Sequence, residues 1–150
     1  MQLGLSNHPR FDISLEGFLN FASQLRAEHV ELKLDCPFLL SALSNRDEIR
    51  GIKDLFASYS FKYFLHAPAI DINLASLNPS IGEASENVVL NSVYFADKVG
   101  VELIVSHVGR LSRDHLENLI DLAFRNAVSR LKRLVHVSDC LLYTSPSPRD

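Results

Sequence analysis

Two histidines stand at matched places in this chain. In "FLHAPAIDINLAS", residues 64–76, an apolar run closes on His66 and passes, after Pro68, into a loop carrying Asp71 and Asn73. A second apolar run, "VELIVS" from Val101 to Ser106, closes on His107, 41 residues after His66. Neutral imidazole is a good ligand for zinc, manganese or iron, and two imidazoles from adjacent strands can share one ion. A lone histidine at a strand end is usually a surface or hydrogen-bonded residue, so it is the matched placement that argues for a metal site. His8, His29, His115 and His136 lack such a pairing.

Other polar residues fall at the same edge. Asp71 and Asn73 could position substrate hydroxyls or a coordinated water, or equally satisfy their own loop's amides as Asx turns do. Asp35 follows the second strand, although the Cys36-Pro37 after it also suits a simple turn. Asn7 and His8 follow the first strand and complete the candidate substrate contacts. Glu31 lies inside its strand, where it would need a partner if buried.

These residues depend on an alternation of strands and helices. "QLGL", Gln2 to Leu5, reads as a short strand. Ser14 can cap a helix whose Leu15, Phe18, Leu19, Ala22 and Leu25 share one face. "HVELKL", His29 to Leu34, alternates with period two, as a strand does. Ser44-Asn45-Arg46-Asp47 has the form of a capping box, with Ile49, Ile52, Leu55 and Phe56 along the helix it opens. "FKYFL", Phe61 to Leu65, is an aromatic-rich strand. Ser80-Ile81-Gly82-Glu83 forms a second box, before a helix carrying Val88, Val89, Val93, Phe95 and Ala96 that Gly100 should stop. Val101 to Ser106 is apolar enough to be buried on both faces. A last helix aligns Leu116, Leu119, Ile120, Ala123, Phe124, Ala127, Leu131 and Leu134, and runs to about Val137.

Four strand-then-helix units predict right-handed βα repeats and a parallel sheet. A doubly wound sheet and an eight-fold barrel both accommodate them. No glycine-rich dinucleotide fingerprint follows the first strand, where the chain reads "GLSNHPRF". In either architecture the carboxyl edge is where ligands bind.

The chain has 150 residues, 47% of them hydrophobic, enough for a substantial core. Its formal charge of −3 argues weakly against a large nucleic-acid footprint. No leader-like N-terminus and no apolar run near the roughly 20 residues of a membrane span is visible, so a cytoplasmic protein with no membrane partner is expected. Cys36 and Cys140 show no zinc-type spacing. The closing "CLLYTSPSPRD", residues 140–150, resembles the conceptual translation of a sequencing-library adapter. The native domain is therefore expected to be residues 1–139, with 140–150 foreign to it.

"LHAPAIDINLASLNPSIGEAS" and "GVELIVSHVG", with a helix between them, resemble the xylose isomerase-like TIM barrel superfamily. This superfamily includes sugar phosphate isomerases/epimerases and type IV apurinic/apyrimidinic endonucleases. The resemblance implies an α/β fold, the N-terminal half of a (β/α)8 barrel with about four βα units. It implies that His66 and His107 contribute to a divalent-metal site (Zn, Mn, Mg or Fe) at the barrel mouth. Relatives often have His-Pro-Gly where this chain has His107-Val108-Gly109, and many have an arginine near Gly82, so a phosphate contact at Gly82 is in doubt. The implied function is a fragment of a metal-dependent isomerase or epimerase acting on a small sugar or sugar phosphate, inactive as truncated. The acid–base carboxylates would then come from later strands. The alternative is a fragment of a type IV-like endonuclease whose partner is abasic DNA.

Overall fold

The structure is a computed structural model that describes residues 2–10, 13–110 and 117–144. Its elements run β1 (Gly4–Ser6), α1 (Leu15–Gln24), β2 (His29–Lys33), α2 (Pro37–Leu40), a 3-10 turn (Ser41–Ser44), α3 (Arg46–Ala57), β3 (Lys62–His66), α4 (Pro79–Val99), β4 (Ile104–Val105) and α5 (Glu117–Thr144). The strands form one parallel sheet in the order β1-β2-β3-β4. That is the arrangement successive βα units produce when each strand pairs with the next.

The period-two pattern divides the sheet into two faces. Val30, Leu32 and Leu65 are fully buried and pack with Leu19 and Ala22 of α1, Ile52 and Phe56 of α3, and Phe95 and Ala96 of α4. On the other face, His29, Glu31 and Lys33 of β2 are only half-buried. They lie in register with Lys62, Phe64 and His66 of β3, and the rings of His29 and Phe64 stack at 5.6 Å. The apolar core therefore lies between the sheet and its helices, and the polar row lines the open face. Ala67, Leu74, Val89 and Leu134 form a second cluster that seats α5 against α4 and the loop after β3.

Local signals set most boundaries. The Ser14 hydroxyl accepts from the Gly17 amide at 3.1 Å and starts α1. Gly100, at φ 79°, ends α4 in the left-handed conformation that glycine adopts most easily. Both expected capping boxes are displaced. Asn45, not Ser44, caps α3, because Ser44 already belongs to the 3-10 turn. Its side-chain oxygen accepts from the Asp47 and Glu48 amides while its amide donates to Glu48 at 2.7 Å. Asn78 caps α4 through the Ser80 amide, with Pro79 in the first-turn position that costs a proline nothing.

Three further expectations are corrected. Leu25 lies past the end of α1 and is 46% exposed. The fourth strand is only two residues long and is not buried on both faces. It is an edge among the described strands, which leaves Leu103 and Val105 exposed. On α5 the buried stripe passes through Ala123, Ala127, Arg130 and Leu134, and turns Ile120 and Phe124 outward. This helix continues to Thr144 rather than ending near Val137, because no helix breaker precedes Pro146. Leu116 and His115 lie outside the described residues. Among those described, no helix is long and apolar enough to cross a membrane.

Candidate functional site

His66 is the last residue of β3 and pairs in register with Lys33 on one side and Val105 on the other. His107 lies two residues beyond β4. The parallel register carries both imidazoles to the carboxyl edge, where their Nε2 atoms are 3.1 Å apart and their ring centroids 4.9 Å. The Nδ1 of His66 is 2.9 Å from the Ala67 carbonyl oxygen. A proton on that Nδ1 donates to the carbonyl and leaves the Nε2 lone pair directed at His107. Two lone pairs at this separation repel unless a proton or a cation lies between them.

The spacing fits two ligands of one metal. Metal–nitrogen bonds of about 2.0–2.1 Å, opened by an angle between octahedral and tetrahedral, place the two nitrogens about 2.8–3.4 Å apart. The anchored Nδ1 supplies the outer hydrogen bond that metal-ligating histidines usually have. No group of three or more histidine, cysteine, aspartate or glutamate side chains converges among the described residues.

The remaining candidate residues form a relay between loops. Asn7, after β1, is buried; its side-chain oxygen accepts from the Lys33 amide at 2.6 Å and its amide donates to Cys36 Sγ at 3.1 Å. Asp35, after β2, accepts from the Ala69 and Ile70 amides of the β3 loop at 3.1–3.2 Å. Asn73, in that loop, donates to the Arg110 carbonyl at 2.8 Å and accepts from the Ala75 amide at 3.1 Å. Each unit's polar side chain grips the backbone of the next unit. His8 Nδ1 accepts from the Arg10 amide at 3.1 Å. His29 is at the amino end of β2, and His136 is exposed on α5.

Gly109 completes this arrangement. Its φ of 99° suits glycine, and a Cβ there would run into the Asn73 side chain. Asp71 has a left-handed φ of 59°, a conformation aspartate tolerates better than most residues. Asp71, Asn73, His107 and Arg110 line one cavity of about 460 Å³ beside the histidine pair. Burial, with Asp35 nearby, pushes the Cys36 thiol above its usual range and keeps it neutral.

Two contributors are not visible in the sequence pattern. Arg110 is next to Gly109 in a loop after a strand, a weak signal on its own. Arg130, on α5, is buried and donates to the Leu74 and Ser76 carbonyls across 56 and 54 residues, so no local spacing reveals it. Its guanidinium occupies the space that a side chain at position 82 would need, which explains the glycine there. Glu86 lies beside Arg130 and is held in a two-pronged pair by Arg133.

Comparison with known proteins bears on the fold. No protein-family model matches the sequence. An uncharacterized protein of Methanocaldococcus jannaschii is 34% identical over 110 residues, 73% of this chain and 41% of that protein. A D-tagatose 3-epimerase-like protein superposes with a TM-score of 0.78 at 20% identity, over 94% of this chain and 50% of its own. D-psicose 3-epimerase from Clostridium cellulolyticum, solved with D-tagatose, gives 0.74 at 12% identity over the same shares. A Thermus thermophilus protein soaked with ZnCl2 gives 0.59 at 22% identity, over 89% of this chain and 52% of its own. The chain thus spans about half the length of these solved structures. In its fold, the chain matches about half of these TIM-barrel structures, with four parallel strands in sequential order.

Proposed function

We propose that these residues form the metal-binding half of the site of a cytoplasmic, divalent-metal-dependent isomerase or epimerase acting on a small sugar or sugar phosphate. The observation that carries this is the convergence of His66 and His107 Nε2 at 3.1 Å, with His66 fixed from behind by the Ala67 carbonyl. The sugar epimerases among the structural neighbours support the substrate class. A bound divalent ion would polarise a carbonyl or hydroxyl and ease removal of the neighbouring proton. His66 and His107 hold the ion's place at the strand ends. Asp71, at the cavity wall, orients substrate hydroxyls by accepting from them. Asn7, Asp35 and Asn73 keep the three loops in register while substrate binds.

The acid–base carboxylates are assigned to other parts of the intact enzyme, so residues 1–139 alone bind metal without turnover. Residues 140–150 are read as foreign to it, and sequencing the source DNA across the Asp139 codon tests that. The functional test is zinc titration of the full chain by calorimetry, alongside His66→Ala and His107→Ala. One Zn²⁺ per chain is expected, with each substitution weakening it at least roughly tenfold. Equal zinc affinity in all three proteins would sink the metal reading.

A further inference from the structure

We infer that Arg130, on α5, is a positioning residue for the histidine pair and sets where His107 stands against His66. This rests on the proposed metal site for the purpose of the pair, though not for its geometry.

The two imidazoles are held unequally. His66 belongs to β3, and its Nδ1 is 2.9 Å from the Ala67 carbonyl oxygen. His107 lies beyond the two-residue β4, and among the described residues its ring has one hydrogen-bond partner, His66 itself. Metal-ligating histidines usually have their ring direction fixed from behind. With no such side-chain anchor, His107 takes its place from its backbone. There the carbonyl of the next residue, Val108, accepts from the Ala75 amide at 2.9 Å.

The other end of that same peptide unit, the Leu74 carbonyl, accepts from the Arg130 guanidinium at 2.5 Å. The Leu74–Ala75 peptide is trans, a rigid plane whose C=O and N–H point in opposite directions. One plane therefore joins Arg130 on one side to the neighbour of His107 on the other. Donation to the carbonyl also polarises the amide and strengthens the bond it makes. A second tie, from the Asn73 amide to the Arg110 carbonyl at 2.8 Å, grips the same loop without passing through Arg130. Loss of the guanidinium should therefore loosen His107, not release it.

Stability alone does not explain a guanidinium here. Arg130 is buried in line with Ala123, Ala127 and Leu134. Its ion pair among the described residues is with Glu86 at 3.9 Å, and Glu86 is already held by Arg133 at 2.6 Å. An apolar side chain of similar volume in place of a buried charge is often as stable or more so. What an apolar side chain cannot supply is a directed donor to the Leu74 carbonyl.

The test compares the full chain in wild type, Arg130→Met, Arg130→Lys and Asn126→Ala. Asn126, one turn earlier on α5, donates to the Ser76 carbonyl at 3.1 Å, a tie to the same loop that lies off the Leu74–Ala75 plane. In metal-free protein, NMR reads the Overhauser contact between the His66 and His107 rings and the deuterium exchange of the Ala75 amide. Calorimetry reads zinc affinity. Arg130→Met is expected to speed Ala75 exchange, weaken the ring contact and lower zinc affinity about tenfold. Arg130→Lys should recover part of each, and Asn126→Ala should leave ring contact and zinc affinity unchanged. If Arg130→Met does not fold, Arg130→Lys against Asn126→Ala carries the comparison at smaller amplitude. A ring contact unchanged in the Arg130 variant, or reduced as much in Asn126→Ala, overturns the inference and leaves Arg130 a structural residue. If the wild type binds no zinc, the metal reading falls alone, because the ring contact still decides the role of Arg130.

Discussion

The helix-covered face of the sheet and the ends of its strands are held by different forces. Behind the sheet, Val30, Leu32 and Leu65 are sealed by α1, α3 and α4, and cohesion comes from apolar area removed from water. At the strand ends, Asn7, Asp35 and Asn73 tie each loop to the next through hydrogen bonds to backbone. Apolar packing is non-directional and resists swelling, but it does not specify an angle. Hydrogen bonds contribute less each, yet they fix direction. A site that must hold two imidazoles 3.1 Å apart needs the second kind of support.

The contrast can be broken experimentally, beginning with the largest expected effect. Leu65→Ala empties a fully buried position and should lower unfolding free energy by about 2–5 kcal/mol in a urea titration. Asp35→Asn removes one of the carboxylate's two acceptors and should cost about 1 kcal/mol. Its signature is local: the Ala69 and Ile70 amides should exchange faster with deuterium while the Leu65 amide keeps its protection. A drop as large as that of Leu65→Ala, with exchange raised throughout, would show core and mouth to be one cooperative unit.

Cys36 belongs to both regions, since it is buried in the core and receives the Asn7 amide. Its raised thiol pKa gives the smallest expected effect and a definite sign. The unfolded chain ionises this thiol near the ordinary value of 9.0, whereas the folded chain holds it neutral to higher pH. Its contribution to stability is whole below that ordinary value and is lost as pH rises through the folded value. Tyr63 is shifted upward for the same reason, by burial and by Tyr59, and adds a similar loss at still higher pH. Cys36→Ala should therefore flatten part of the alkaline decline in unfolding midpoint. An unchanged slope would place Cys36 in the solvent-responsive mouth and not in the core.

The sequence alone determined the order of strands and helices, the apolar face of each, and the two histidines at successive strand ends. Those features are written in local spacing: period two in "HVELK", caps at Ser14 and Gly100, an apolar run closing on His66. Cap positions were off by one or two residues where two adjacent residues could serve, as at Ser44 and Asn45. Only the tertiary structure decided what the polar residues touch. Asn7 reaches Lys33 across 26 residues, Asp35 reaches Ala69 across 34, and Arg130 reaches Leu74 across 56. The burial of α5 was likewise decided by its neighbour, because a helix amphipathic over more than one stripe has no preferred face until it meets α4 and the β3 loop. Spacing along the chain records contacts within a turn or a strand; hydrogen bonds between loops depend on sheet register, which forms only when the units pack.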